Sequence, residues 1–171
     1  EMAADETARE GIAADIDEMD QIIGQFLDFA RDTEGEPAEP TDLNAVIVHV
    51  AAPLQRRGAR IDLRLAELPP FMLRPLALRR LAGNLINKAL HHGGGASAVE
   101  VATRREGTSL VLDVMDRGPG IPQEEIERLK QPFTRLDAAR TRASRAGPGL
   151  AIVDRVAKGH GGRFDLLPRE G

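Results

Sequence analysis

The stretch "RRLAGNLINKALHHGGG", residues 79–95, concentrates side chains that could contact a phosphorylated ligand. Its apolar residues recur with the period of a helix. Asn84 and Lys88 are four residues apart and share one helix face, and His91 and His92 follow about one turn later. A histidine pair after a helix is typical of a surface or capping feature, and no third ligand lies at zinc-like spacing. We therefore expect no zinc site here.

A glycine motif, "DRGPGIP" (Asp116 to Pro122), directly follows a predicted strand. An aspartate at a strand end can accept a hydrogen bond from an exocyclic amine, and the glycines let the backbone approach a ligand closely. An ordinary Asp-x-Gly turn explains the motif equally well when it is taken alone. The motif therefore indicates a ligand site only together with its neighbours.

A second glycine pair, in "RAGPGLAIV" (residues 145–153), leads into a predicted helix. Free backbone N–H groups at a helix start bind phosphate, and the helix dipole supports this. The polar stretch between the two glycine motifs is typical of a lid, although a solvated surface is the simpler interpretation of any one of its arginines. These arginines are Arg135, Arg140, Arg142 and Arg145.

The composition is that of a globular chain. Of 171 residues, 42% are hydrophobic, 29% charged and 3% aromatic, so Leu, Ile, Val and Ala must form the core. The formal net charge of −4 argues against a general nucleic-acid-binding protein. The absence of cysteine excludes a disulfide framework, a thiolate nucleophile and a cysteine-based zinc site. No apolar run approaches the ~20 residues of a membrane span, and the start at Glu1 leads us to expect a piece of a longer protein.

Hydrophobic periodicity predicts an α+β domain in residues 42–171, a two-layer α/β sandwich with its helices on one mixed sheet. We expect Asp42 or Asn44 to cap its first helix. The chain is expected to end before a final strand that would pair with residues 163–168. The predicted elements are a helix over 42–58, a strand over 59–67, a helix over 74–92, a hairpin over 97–116 turning at Glu106-Gly107, helices over 123–133 and 149–162, and a strand over 163–168.

Residues 4–33 are predicted to form a long N-terminal helix. Its apolar residues alternate four- and three-residue spacings, as in a coiled-coil seam. A helix packed on its own domain and one arm of a dimerising hairpin explain this spacing equally well. Gly35, Pro37 and Pro40 then break the helix, so residues 35–41 are predicted to be a linker. The seam residues are Ile12, Ile16, Met19, Ile23, Phe26 and Ala30.

Taken in order, these motifs resemble the ATP-binding catalytic domain of bacterial sensor histidine kinases, which shares its fold with gyrase B, Hsp90 and MutL. Residues 84–92 resemble the N box, "DRGPGIP" the G1 box, "QPF" (Gln131 to Phe133) the F box and "GPGLAIV" the G2 box. "QPFTRLDAAR" is most similar to the osmolarity-sensor subfamily. The resemblance implies the Bergerat ATP-binding fold in residues 42–171. It also implies that residues 1–34 are the second helix of the dimerisation and phosphotransfer hairpin, whose first helix is absent.

The resemblance implies a role for each matching residue. Asp116 would hold the adenine amine in a pocket shaped by Gly118 and Gly120, and Gly147 and Gly149 would let the lid and the helix start meet the phosphates. Asn84 would contact phosphate or the magnesium shell. The other implied nucleotide-binding residues are His92 beside the nucleotide, Asn87, Lys88, His91, Ile121, Phe133, the lid residues Arg140, Arg142 and Arg145, and Leu150.

The chain departs from the family pattern at the usual magnesium ligand. The family has Asn-x-x-x-Asn, and the second position here is Lys88, whose ammonium group has no lone pair for a cation. We expect Lys88 to contact phosphate as a point charge, to lower magnesium dependence and to slow phosphoryl transfer. The rival is that Asn87 replaces it through a helix distortion, although Asn87 lies roughly 100° away around the helix. ATP is thus the implied ligand, with a weak magnesium site at Asn84.

Two further departures concern the lid and the phosphoacceptor. Where the family has Gly-Thr-Gly-Leu-Gly, Arg145 replaces a flexible glycine and Pro148 removes an N–H donor, so the lid hinge should be stiffer. The family's phosphoacceptor lies in an His-Glu/Asp-x-x-x-Pro context, which no histidine here has. This chain should therefore not autophosphorylate by the family route. Its histidines are His49, His91, His92 and His160.

The resemblance implies an enzyme that moves the ATP γ-phosphate to a histidine outside this chain and then to a response regulator. The alternative is a degenerate domain that acts by regulation or dimerisation, and a third reading is a non-kinase ATPase of the same fold. The implied partners are ATP or ADP, a cognate response regulator and a second copy through the N-terminal hairpin, with no nucleic acid and no direct membrane contact. The implied location is the cytoplasmic portion of an inner-membrane sensor.

Overall fold

The structure, a computed structural model, describes residues 19, 23, 35–93, 97–131 and 149–169. Met19 and Ile23 are helical, and the rest of the predicted N-terminal helix lies outside the described residues. The described residues form five strands and four helices. In chain order they are β1 (Glu39–Thr41), α1 (Leu43–Arg56), β2 (Ile61–Leu65), β3 (Phe71–Leu73), α2 (Pro75–His92), β4 (Val99–Glu106), β5 (Ser109–Met115), α3 (Gln123–Leu129) and α4 (Gly149–Gly159).

Strands β2, β4 and β5 form the mixed sheet that the sequence predicts, in the order β2-β4-β5. β2 runs parallel to β4, with Ile61 opposite Val99, and β4 runs antiparallel to β5, with Glu106 opposite Ser109. The hairpin turn begins at Gly107, whose φ of 61° is in the left-handed region that favours glycine. The predicted hairpin and the mixed sheet are confirmed.

A second, two-stranded ribbon was missed by the sequence analysis. β1 pairs antiparallel with β3, so that Glu39 faces Leu73 and Thr41 faces Phe71. Strands of three residues carry no readable alternation, and Pro40 in β1 argues locally against a strand. The pairing is long-range, and the Thr41 hydroxyl supports it by donating to the carbonyl oxygen of Leu73 in β3 at 3.4 Å. Residues 35–41, predicted to be a linker, therefore contribute a strand.

The helices begin and end where local chemistry dictates. The Asp42 carboxylate accepts a hydrogen bond from the Ala45 N–H (3.2 Å) and caps α1, whereas the other candidate cap, Asn44, donates to the carbonyl of Ala66 (2.7 Å). Gly58, with φ of 93°, follows the end of α1. Pro75 occupies the start of α2, where its missing N–H is not needed.

All three long helices lie on one face of the mixed sheet, which gives the expected two layers. One core cluster joins α1 and α2 to β2 and β4, and Ile47, Ile86 and Val101 are fully buried in it. A second cluster joins α2 to α4 through residues such as Leu81 and Val153, and Leu112 of β5 packs against it. The two-layer α/β sandwich is thus confirmed.

The predicted strand over residues 163–168 is wrong. Phe164 packs against the α2–α4 cluster, yet no described residue pairs with this segment in a ladder. Phe164 and Leu166 are half-buried while Asp165 and Leu167 are exposed, so the side-chain alternation is present. A strand also needs a hydrogen-bonded neighbour, and alternation alone does not supply one.

Candidate functional site

Helix α2 carries the polar residues that the sequence singled out. It runs as an α-helix from Pro75 to His92. Asn84, Lys88 and His92 are half-buried on one side, whereas Asn87 and His91 are exposed. Since Ile86 and Ala89 face the core, the helix presents one polar line away from it. Lys88 and His92 both have interaction partners within the chain.

Asn84 meets the first residue of α4. Its side-chain amide donates to the carbonyl of Arg80 (2.8 Å), which fixes the rotamer, and the Oδ1 oxygen lies beside Gly149 of α4. That oxygen would lie 2.7 Å from a Cβ atom placed on Gly149, so any larger residue there would displace the Asn84 side chain. The two helices are antiparallel, because the Arg74 guanidinium before α2 donates to the carbonyl of Gly159 (2.7 Å) at the far end of α4. The N-terminus of α4 and the amide of Asn84 therefore face the same space.

Asp116 lies at the end of β5, beside the end of α2. Its Oδ1 oxygen accepts a hydrogen bond from the Gly118 N–H (2.7 Å), which leaves Oδ2 to accept from a ligand. Gly118 lies so close to the carbonyl oxygen of His92 that a Cβ atom would overlap it. Gly120 has φ of 75°, so the loop turns through a conformation that favours glycine.

The structure brings together two groups of predicted residues, Asn84 with Gly149 and His92 with Asp116 and Gly118. Ile121, 39% exposed, follows in the same loop, and Leu150 is buried in α4 with 2% exposure. The sequence analysis did not select Gly93, although a Cβ atom at this position would lie 3.0 Å from the Cβ atom of Asp116. Its only signal was a run of glycines after the helix. The predicted residues that lie outside the described residues are Phe133, Arg140, Arg142, Arg145 and Gly147.

The chemistry of this space suits an anion and a hydrogen-bond donor. An anion is favoured at the N-terminus of α4, where backbone N–H groups and the helix dipole point outward. Within the described ranges, no three histidine or acidic residues lie close enough together to share a metal ion. Nor does any helix among the described residues have the length and apolar character needed to cross a bilayer.

Residues 74–171 match the family described as histidine kinase-, DNA gyrase B- and HSP90-like ATPases. The match covers α2, the β4–β5 hairpin, α3 and α4, and so includes each described part of the site.

Several similar proteins are sensor histidine kinases. The chain is 33% identical over 170 residues to the sensor histidine kinase GtrS of Pseudomonas aeruginosa, covering 99% of this chain and 34% of that protein. It is 42% identical over 156 residues to the sensor protein CutS of Streptomyces coelicolor, covering 88% of this chain and 37% of that protein. The chain thus spans about a third of the length of these curated relatives.

A solved structure supports the same placement. The histidine kinase domain of the Escherichia coli osmosensor EnvZ superposes with a TM-score of 0.59 at 34% identity, covering 78% of this chain and 81% of that one. The family match, the sequence relatives and this likeness agree with the fold and with the order of the motifs. The chain belongs to the histidine kinase-, DNA gyrase B- and HSP90-like ATPase family, and it is an ATP-binding domain of the sensor histidine kinase type.

Proposed function

We propose that this chain is the kinase core of a two-component sensor. It binds ATP and presents the γ-phosphate to a histidine outside this sequence, from which the phosphoryl group passes to an aspartate of a response regulator. The observation that carries the proposal is the convergence of Asn84 on Gly149 at the N-terminus of α4, with Asp116 at the neighbouring end of α2. Family membership supports the same reading.

The adenine and the phosphates of the nucleotide lie at opposite ends of this space. Oδ2 of Asp116 accepts a hydrogen bond from the exocyclic amine of adenine, since Oδ1 already accepts one from the Gly118 N–H. The phosphates lie toward Asn84 and the first turn of α4, where the N–H groups favour negative charge. Lys88, one turn beyond Asn84 on the same helix, adds a positive charge on the phosphate side.

Magnesium fits the described residues poorly. Asn84 offers one amide oxygen, but an ammonium group at Lys88 repels a cation and has no lone pair to give it. Asn87 is exposed on a continuous α-helix, roughly 100° around from the Asn84–Lys88 line. We propose that Lys88 takes over part of the charge neutralisation that a metal ion provides, so that nucleotide binding depends less on magnesium.

The test is calorimetric titration with a non-hydrolysable ATP analogue, in magnesium and in EDTA, on this chain and on Lys88→Asn. We expect this chain to bind in both conditions and the asparagine variant to bind better with magnesium. Lys158→Asn is the matched control, because Lys158 lies at the far end of α4 and pairs with Asp154 (2.6 Å). Its affinities should equal those of the parent.

The other outcomes separate the alternatives. Binding by Lys88→Asn alone would show that Lys88 prevents nucleotide use, as the degenerate-domain alternative requires. Loss of binding in EDTA by the parent chain would refute the reduced magnesium dependence while leaving the nucleotide site intact. No binding by either protein would overturn the proposed function of this chain.

The partners and the location follow from the same proposal. A kinase core of this type acts with a cognate response regulator and as a homodimer through its N-terminal hairpin, and it is the cytoplasmic portion of an inner-membrane sensor. Met19 and Ile23 support the dimer, because they are helical, four residues apart and 60% and 51% exposed.

A further inference from the structure

Gly93, the residue that ends α2, has no backbone reason to be glycine. Its φ of −75° and ψ of 13° are open to any residue. Its N–H donates to the carbonyl of Ala89 (2.8 Å), as an ordinary last turn of a helix requires. The residue is nevertheless buried.

Space explains the glycine. A Cβ atom on Gly93 would overlap the carbonyl oxygen of Ala89 and would lie 3.0 Å from the Cβ atom of Asp116. Two carbon atoms in ordinary contact are about 3.5–4.0 Å apart, so one side would have to move. Neither neighbour is the far end of a flexible side chain, because one is helix backbone and the other is fixed to the backbone of the loop.

A second close approach lies on the loop side, at Gly118. A Cβ atom on Gly118 would overlap the carbonyl oxygen of His92 and lie 2.9 Å from Oδ1 of Asp116. The end of α2 and the loop after β5 are therefore packed closely together at Gly93 and Gly118, with Asp116 between these two glycines. We call this close packing the interlock. Oδ1 of Asp116 is held further by the Gly118 N–H.

We propose that Gly93 is a positioning residue that sets the depth of the Asp116 carboxylate, and through it the preference for a purine that carries an exocyclic amine. The inference rests on the proposed nucleotide function. Hydrogen bonds weaken steeply with distance and angle, so a shift of a few tenths of an ångström at the Asp116 Cβ atom misaligns Oδ2. A methyl group at residue 93 thus weakens the hydrogen bond to adenine and leaves the phosphate contacts unchanged.

The experiment compares Gly93→Ala with Gly83→Ala. Gly83 lies in the same helix, and a Cβ atom there would meet nothing within 4 Å. For each protein, the affinities of a non-hydrolysable ATP analogue and of its inosine counterpart, which has a carbonyl oxygen in place of the amine, are measured by calorimetry. We expect Gly93→Ala to lose about tenfold in adenine affinity, the size of one charge-assisted hydrogen bond, with little change for inosine. Gly83→Ala should keep both affinities.

A thermodynamic cycle with Asp116→Ala tests whether Gly93 acts through the Asp116 carboxylate. That variant keeps the Cβ atom but lacks the carboxylate, so Gly93→Ala should change neither affinity in its background. Equal weakening of both nucleotides by Gly93→Ala, or an unchanged adenine-to-inosine ratio, would overturn the inference while leaving the proposed function standing. Failure of the unaltered chain to bind either nucleotide would overturn the proposed function itself.

Hydrogen exchange of the unaltered chain tests the same inference if Gly93→Ala does not fold. In the nucleotide-free chain, the Gly118 amide should exchange with solvent at least about tenfold more slowly than in an unstructured peptide, because the interlock holds it on Asp116 before any ligand arrives. Unprotected exchange at Gly118 would show that Asp116 is not prepositioned, and the inference would fail.

Discussion

The side-chain amide of Asn84 lies between the carbonyl of Arg80 and Gly149 of α4, so its position depends on the residue at 149. Its nitrogen is engaged by the carbonyl of Arg80 (2.8 Å), and its oxygen approaches the Cα atom of Gly149. Because a methyl group on Gly149 would lie 2.7 Å from that oxygen, Asn84 could not keep its rotamer.

We therefore expect Gly149→Ala to lower the affinity for an ATP analogue by about tenfold, as the loss of one aligned polar contact would. Calorimetric titration measures this, and Gly83→Ala serves as the control for the added methyl group. An affinity equal to that of the parent would mean that Asn84 does not contact the nucleotide.

Helix α2 depends on a cap that comes from outside the helix. The two carboxylate oxygens of Glu36 accept hydrogen bonds from the N–H groups of Leu76 (2.7 Å) and Ala77 (2.9 Å). The carbonyl of the same residue accepts from the Arg74 guanidinium (3.0 Å), and the imidazole of His160 accepts from the Arg74 N–H (3.0 Å). The segment before β1 is thereby fastened to the start of α2 and the end of α4.

Glu36→Ala should lower the free energy of unfolding by about 1–2 kcal/mol, because two N–H groups at a helix start lose their acceptor and a favourable charge. Urea denaturation with an unchanged m-value measures this. Glu39→Ala is the matched control, since Glu39 is exposed on β1. Equal midpoints for the two variants would show that the cap contributes nothing. Nucleotide affinity should persist, because Asn84 lies roughly 12 Å further along α2.

The last described segment is joined to the sheet by an ion pair between Arg169 and Glu100. The Arg169 hydrogen bond, with a further contribution from Arg64 at 3.1 Å, holds the pKa of Glu100 below its usual range, although burial opposes this. The folded state therefore favours the charged carboxylate. Its contribution to stability is complete above the usual carboxylate range and is lost as the pH falls through the lowered pKa.

We expect Arg169→Ala to be less stable than the parent at pH 7, and the difference to shrink as the pH falls below the usual carboxylate range. Denaturation midpoints at several pH values measure it. Arg163→Ala should change little at any pH, because the Arg163 side chain is 86% exposed in its pair with Asp165. If the stability difference between Arg169→Ala and the parent did not depend on pH, the Arg169–Glu100 ion pair would not be its cause.

Assembly concerns the N-terminal helix, where Met19 and Ile23 expose apolar side chains on one face. If this face forms a dimer seam, Ile23→Asp should weaken the dimer and leave nucleotide affinity unchanged, because a buried charge is costly. Sedimentation velocity measures the first and calorimetry the second. Unchanged sedimentation would contradict the dimer interpretation.

Much of the domain was predictable because its elements carry local signals. The hydrophobic period of residues 74–92, the cap at Asp42 and the glycine turn of the β4–β5 hairpin each act within a few residues of chain, and all three are confirmed. The order of the motifs was likewise sufficient to predict the family. Each of these depends on spacing, which a sequence records directly.

Tertiary structure alone decided which residues meet. The β1–β3 ribbon requires hydrogen bonds across 30 or so residues of chain, and the segment 163–168 has the alternation of a strand without a described partner. The approach of Asn84 to Gly149 depends on the antiparallel packing of α2 and α4, and the contact of Gly93 with Asp116 depends on where α2 ends relative to β5. Close contacts of this kind arise from the packing of whole elements, so no local pattern in the sequence could predict them.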